Sequence, residues 1–310
     1  METASPSTRN AVVILNPAAN RGKMEYHRSI VQERAQKERA HYVETTQAWQ
    51  AKEFALEAAR KDRPIVVVGG DGTVHEVVNG ILAAGRRVPL GIVAAGSGND
   101  FAWNTLRLPR DPVQAVERAF HGQSVDVDAG RVNERYFVNS FSVGLDADIA
   151  VAANRLKKYP LMSGSRLYYI STLKQLLFGY HRCPWLSFTL DGGEQAPDCQ
   201  KQEGRYVLLA VTNGPTYGAG FRINPSADHT DGLFDVCFIR YTSLLRALQL
   251  LPVVQKGQHQ EKHVPEIGCC RAKVVHIESQ KPVNAQMDGE TFCAIRFDAE
   301  ILMGALCVRI

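Results

Sequence analysis

The sequence predicts an α/β fold: an N-terminal doubly wound parallel sheet, then a β-rich, antiparallel sandwich-like second domain, with a cleft between them. Three observations carry this expectation. Short apolar runs alternate with amphipathic segments over the first 127 residues. Those runs end in glycine-rich turns, as strands do where they feed helices in a parallel sheet. After about Val127 the texture changes to short strands separated by turns. The expected domains are therefore 1–127 and 128–310, with the last strand free to return to the first domain.

The elements follow in order. Ala11 to Leu15 reads as a buried strand ended by Asn16-Pro17. Tyr26 to Arg39 is a helix with Ile30, Val31 and Ala35 inward and a charged outer face. His41 to Thr45, Ile65 to Val68 and Leu90 to Val93 are further strands; Ala51 to Arg60 and Val113 to Phe120 are helices. In the second part, Tyr136 to Val143, Trp185 to Leu190, Arg205 to Thr212, Leu233 to Arg240, Ala272 to Ile277, Val283 to Met287 and Thr291 to Phe297 read as strands, with two or three helices inserted. Asp191-Gly192-Gly193 and Asp288-Gly289 are hairpin signals. No internal repeat or low-complexity linker separates the parts.

The densest signal is Pro64 to Thr73, where an apolar β-branched run stops in Gly69-Gly70-Asp71-Gly72-Thr73. Val74, Val77, Val78, Ile81 and Leu82 then form a helical stripe, and Thr73 with Glu76 fits a capping box, so the helix is expected to begin at Thr73. Strand, glycine turn and capped helix make a phosphate-binding device, because glycines let backbone approach an anion and first-turn N–H groups point at it. Asp71 would repel a bare phosphate, so its expected role is to hold a magnesium ion. Any α/β sheet uses glycine at such turns. That explains Gly69 or Gly72 alone, but not three glycines in four positions around an acid.

Bulk properties narrow the choice. The chain has 310 residues, 45% apolar and 22% charged, an ordinary globular composition. A net charge of +4 without a dense Lys/Arg block and interleaved aromatics argues against a nucleic-acid partner. Met1 to Asn10 is polar with no signal-peptide core after it, and Leu244 to Val254 is interrupted by Arg246 and Gln249 and too short for a bilayer. The expected location is cytoplasmic, with peripheral membrane contact left open. Seven cysteines without a C-x-x-C pair fit reduced, packed thiols, and nothing is expected of adjacent Cys269 and Cys270.

Four clusters share an explanation: Asn16 to Gly22, Gly69 to Thr73, Gly96 to Ala102 and Met287-Asp288-Gly289-Glu290. In their order and spacing the chain resembles the diacylglycerol kinase catalytic-domain family, which includes soluble bacterial lipid kinases and the sphingosine and ceramide kinases. The resemblance runs from about Ala11 to Ile310. It implies ATP and Mg2+ as cofactors and a lipid acceptor met at a membrane surface. Asn16, Pro17, Ala18, Ala19, Asn20, Thr45, Gly69, Gly70, Asp71, Gly72, Thr73 and Ser97 match its ATP-contacting positions. Asp288 matches the catalytic base and Glu290 a nucleotide-contacting acid. Asp228, Asp231 and the Leu233 carbonyl match a magnesium site. Ala94 stands where proline is usual, Ser97 replaces the commoner threonine, and Ala18, Ala19 and Asn20 lack the usual Ser/Gly pair.

The resemblance implies an ATP-dependent lipid kinase, with diacylglycerol one candidate acceptor. A soluble-substrate kinase of the NAD-kinase type and a non-catalytic lipid or nucleotide sensor on the same fold stay open, as does a homodimer. Arg155 to Tyr180 mixes Lys157, Lys158, Arg166 and Lys174 with Leu161, Leu167, Tyr168, Tyr169, Ile170, Leu173, Leu176, Leu177 and Phe178. That pattern suits either a helix lying on an anionic membrane or one packed on its own sheet.

Overall fold

The computed structural model describes residues 10–156, 164–193, 201–218 and 220–310. It divides the chain into two compact units, Met1–Ala129 with Met303–Ile310, and Gly130–Leu302.

In the first unit, strands β1 (Val12–Leu15), β2 (His41–Glu44), β3 (Ile65–Gly69) and β4 (Pro89–Ala94) pair in parallel in the order β2-β1-β3-β4. Helices α1 (Glu25–Lys37), α2 (Gln50–Arg60), α3 (Asp71–Ala83) and α4 (Pro112–His121) connect and cover them. Chain order reverses between β1 and β3, the switch point beyond which ligands bind in open α/β sheets. Both central strands are buried end to end, which is why they read as unbroken apolar runs. Val13, Leu15, Val66, Val68 and Val93 pack with Val31 and Ala35 of α1 and with Ala119 and Phe120 of α4. Gly80 lets α3 approach α2 closely, since a Cβ there would lie 2.4 Å from the Lys52 carbonyl oxygen.

The second unit holds β6 (Arg135–Phe137), β7 (Ser140–Gly144), α5 (Leu145–Leu156), α6 (Gly164–Phe178), β8 (Trp185–Asp191), β9 (Lys201–Thr212), β10 (Phe234–Arg240), α7 (Leu244–Gln255), β11 (Ile267–Ala272) and β12 (Val274–Met287). Two strands run through both units: β5 (Ser124–Val132) and β13 (Glu290–Arg309). The end of β13 pairs in parallel with β4, and the buried Arg309 donates to the carbonyls of Ala119 and Phe120 at the end of α4. Within the second unit the pairing is antiparallel, in the order β11-β10-β9-β7-β12-β13, with β8 bridging β9 and β12. Its core is aromatic: Phe137, Phe141, Phe188, Tyr206, Phe234, Phe238 and Phe297 are all 2% exposed or less.

Three sequence expectations are corrected. The helix after β3 begins at Asp71 rather than Thr73, and Gly70 caps it without a side-chain bond. The capping box does not form because both partners are used elsewhere. Thr73 Oγ1 accepts from Asn16, and Glu76 accepts the Ala51 N–H. The strand expected over Tyr136 to Val143 is two, β6 and β7. Between them the N–H groups of Val138 and Asn139 turn to the Asp288 carboxylate instead of a ladder partner. Finally, among the described residues five cysteines are free thiols, but Cys270 is disulfide-bonded.

Candidate active site

Parallel pairing brings the carboxyl ends of β1, β2, β3 and β4 to one edge of the first unit's sheet, and with them the loops that start at Asn16, Thr45, Gly70 and Ala95. The loops are tied to each other. Asn16 Nδ2 donates to Thr73 Oγ1 at 2.9 Å while its Oδ1 accepts the Ala18 N–H at 2.9 Å. Buried Thr45 donates its N–H to the Leu15 carbonyl at 2.9 Å. Asp71 Oδ2 accepts the Asn99 N–H at 2.6 Å, and the side-chain amide of Asn99 closes its own turn on Gly96. Pro17, Ala18, Ala19 and Asn20 follow β1, the last two in a short 3-10 turn where Asn20 is left-handed at φ 47°. Ser97 is exposed at the tip of the β4 loop.

The glycines here serve close approach rather than unusual φ, since none of Gly69, Gly70, Gly96 and Gly98 has a positive φ. A Cβ on Gly96 would lie 2.6 Å from the Gly70 Cα, and one on Gly98 would lie 2.8 Å from Asp71 Oδ2. The two glycine loops therefore press backbone against backbone. Asp71 occupies the first turn of α3, where a carboxylate complements the helix dipole, and ties α3 to the β4 loop.

In the second unit, Asp288 lies in the β12–β13 turn at φ 48°. Its Oδ1 accepts the N–H groups of Asn139 and Ser140, each at 3.0 Å, and its Oδ2 accepts that of Val138 at 2.9 Å. Three backbone donors thus fix the plane of the carboxylate. Glu290, at the start of β13, is exposed.

A chain of hydrogen bonds leads inward from this turn. The Gly289 N–H donates to Gln286 Oε1, Gln286 Nε2 donates to Ser142 Oγ at 2.8 Å, and Ser142 donates to Asp146 Oδ2, which also accepts from Tyr217 Oη at 3.1 Å. Asp146 lies in the first turn of α5 and lines a mostly apolar pocket with Ile149, Leu176, Val207, Tyr217 and Leu250. Burial pushes the Asp146 carboxyl up to about 6, and its Oδ1 has no hydrogen-bond partner. Sequence reasoning missed this group. Its signal was an acid in the first turn of the apolar helix that follows Gly144.

Asp228, Asp231 and Leu233 share the loop before β10. Asp228 Oδ1 accepts from both the N–H and the hydroxyl of Thr230, and Asp231 Oδ1 accepts the Leu233 N–H at 3.0 Å. Asp231 Oδ2 pairs with Arg271 of β11. Nearby Asp235 is pushed up to about 7, first by burial and then by the charges of Cys269 and Asp228, and its Oδ2 has no partner. An all-oxygen donor set beside an orphaned buried acid fits a hard cation, with Arg271 a competing positive charge at Asp231.

On α6, Ile170, Leu173, Leu177 and Phe178 are exposed while Ser171, Thr172 and Leu176 are buried, so one face packs and another presents apolar side chains outward. Lys157, Lys158 and Leu161 lie outside the described residues, as do the side chains of Arg166, Leu167, Tyr168 and Tyr169. No helix among the described residues is long and apolar enough to cross a membrane.

Comparison with known proteins agrees with this architecture. Residues 10–132 match the diacylglycerol kinase catalytic domain, and residues 139–310 match the YegS C-terminal NAD kinase beta sandwich-like domain. The chain is 32% identical over 262 residues to a diacylglycerol kinase of Mycobacterium tuberculosis, covering 82% of this chain and 79% of that one. It is 30% identical over 289 residues to the diacylglycerol kinase of Staphylococcus carnosus, covering 91% and 89%. A crystal structure of a diacylglycerol kinase from Bacillus anthracis superposes with a TM-score of 0.70 at 22% identity, covering 97% of this chain and 96% of that one, which shows the shared fold. The chain belongs to the diacylglycerol kinase family, and with it among kinases.

Proposed function

We propose that this protein transfers the γ-phosphoryl group of ATP to the hydroxyl of a lipid such as diacylglycerol. The observation that carries the lipid reading is the mostly apolar pocket of the second unit, whose few polar side chains include Asp146 and the Tyr217 hydroxyl bonded to it. A pocket of that kind suits an acyl chain with a polar group at one end, and does not suit a sugar phosphate or a dinucleotide. The exposed apolar face of α6 supports acceptor delivery from a membrane surface.

Phosphoryl transfer needs in-line positioning and charge neutralisation more than covalent help. In this reading the loops of Asn16 to Asn20, Thr45, Gly69 to Thr73 and Ser97 hold the nucleotide, with backbone N–H groups at the α3 N-terminus taking phosphate oxygens. Asp288 accepts the acceptor's hydroxyl proton as the new O–P bond forms and the bond to ADP breaks. Its three backbone donors hold it in one orientation for that transfer. Glu290 contacts the nucleotide. Magnesium, when bound, neutralises phosphate charge; Asp71 would hold the nucleotide's ion, and Asp228, Asp231 and the Leu233 carbonyl a second.

The test is transfer of labelled γ-phosphate to diacylglycerol, sphingosine and ceramide in mixed micelles, with NAD and sugar phosphates alongside. Label on a lipid is expected, with a loss of at least about 100-fold in Asp288→Asn protein. Label on NAD or a sugar phosphate would favour a soluble-substrate kinase. ATP binding without transfer to any acceptor would favour a sensor.

A further inference from the structure

One group of side chains has no part in phosphoryl transfer. Cys237 of β10 and Cys269 of β11 stand directly opposite each other in the antiparallel pair, so their side chains share a face. Both are free thiols, Cys237 fully buried and Cys269 exposed. His259, 2% exposed, comes from the turn after α7. The two sulfurs and an imidazole nitrogen all lie within 4.8 Å of one another.

The imidazole is oriented as metal-binding histidines are. Its Nε2 sits 2.9 Å from the Ile223 carbonyl, which can only accept, so Nε2 carries the proton and Nδ1 keeps a lone pair. Nδ1 is buried, makes no well-aligned hydrogen bond, and its nearest polar neighbour is the Cys269 thiol. A buried imidazole lone pair with no more than a weak thiol donor beside it is a poor arrangement for plain core packing, and a cation would improve it. Tetrahedral zinc with Zn–S bonds of about 2.3 Å sets two sulfurs about 3.8 Å apart, within reach of this spacing.

We propose that Cys237, Cys269 and His259 Nδ1 form a binding site for a borderline-soft divalent cation of the Zn2+ class, with water in the fourth position at the exposed Cys269 side. Binding converts both thiols to thiolates and releases their two protons to solvent, with neutral His259 donating its Nδ1 lone pair. The donor set excludes Mg2+ and Ca2+, which take oxygen ligands, so this site is separate in chemistry from the Asp228 and Asp231 loop. A cation here pins β11, the last strand of the sheet order, and the turn after α7 to β10. Through the Nε2 bond to Ile223 it also steadies the chain that leads into the Asp228 loop.

The experiment uses the full chain, chelator-treated, reduced and kept free of oxygen, titrated with Co2+ as a spectroscopic probe and then with Zn2+. The expected result is one Co2+ per chain, a thiolate-to-cobalt charge-transfer band, tetrahedral d–d bands, and displacement by Zn2+. Cys269→Ser, a change at an exposed position, should weaken Co2+ by at least about tenfold and cut the charge-transfer band. His259→Gln should keep the thiolate band but bind at least about tenfold more weakly. Zn2+ should raise the Tm of the parent protein and not that of Cys269→Ser. Absence of the charge-transfer band, or a band that Cys269→Ser leaves unchanged, would overturn the proposal.

Discussion

The glycine loops of the first unit and the polar chain of the second unit are built on opposite plans. The first turns on close backbone packing, Gly70 against Gly96, with backbone N–H groups of the turn held by the Asn99 and Asp71 side chains. The second is made of side chains that are far apart in sequence, with Gln286 joined to Ser142, and Ser142 and Tyr217 joined to Asp146. A backbone-built site tolerates few changes in size. A side-chain-built site is sensitive to charge and to protonation. The comparison predicts different failures in the two units.

The largest effect should come from the second unit. Asp288→Asn removes the proton acceptor and sets an amide NH2 group against a backbone donor, and turnover should fall by at least about 100-fold in a transfer assay. Next comes Gly96→Ala. With Gly70 Cα 2.6 Å from the new methyl, the loops must separate, so ATP affinity measured by calorimetry should drop at least about tenfold, accompanied by a loss of thermal stability. If Gly96→Ala bound ATP normally, the backbone-packing argument would fail.

Asp146 gives a pH signature. Its carboxyl rises from 3.8 unfolded to about 6 folded because it is buried. The folded state therefore binds more protons between those values, so the contribution of this group to stability is greatest below about pH 4 and is lost as pH rises to about 6. Each tenfold change in an acid's dissociation constant is worth about 1.4 kcal/mol, so the rise corresponds to about 3 kcal/mol. Asp146→Asn should accordingly raise stability at pH 7 relative to the parent and much less at pH 4, read from denaturant midpoints at the two pH values. An equal gain at both would show that the carboxyl is not buried as described. The smallest effect belongs to Asn16→Ala, which loses the part-buried bond to Thr73 and the exposed one from the Ala18 N–H, the former worth about 1 kcal/mol, and should weaken ATP binding a few-fold.

What the sequence revealed follows the same division. Strands β1 and β3 were legible because buried parallel strands leave continuous apolar runs, and the glycine loops because their parts are adjacent in sequence. The start of α3 was misplaced by two residues because capping-box logic is local, while Thr73 and Glu76 answer to Asn16 and Ala51, neither of them local. The division of the Tyr136 to Val143 run was invisible for a similar reason: its cause, Asp288, lies 150 residues away from Val138. Asp146, Tyr217 and Gln286 meet only through tertiary pairing, as do Cys237, His259 and Cys269. No spacing rule joins them.

The most direct test of the central claim, that the first unit holds the nucleotide and the second unit supplies the reacting group, is ATP affinity and lipid phosphorylation measured on one preparation of Asp288→Asn protein. The expected result is ATP binding within about threefold of the parent together with phosphorylation reduced at least about 100-fold. Normal phosphorylation by Asp288→Asn, or loss of ATP binding in step with turnover, would contradict it.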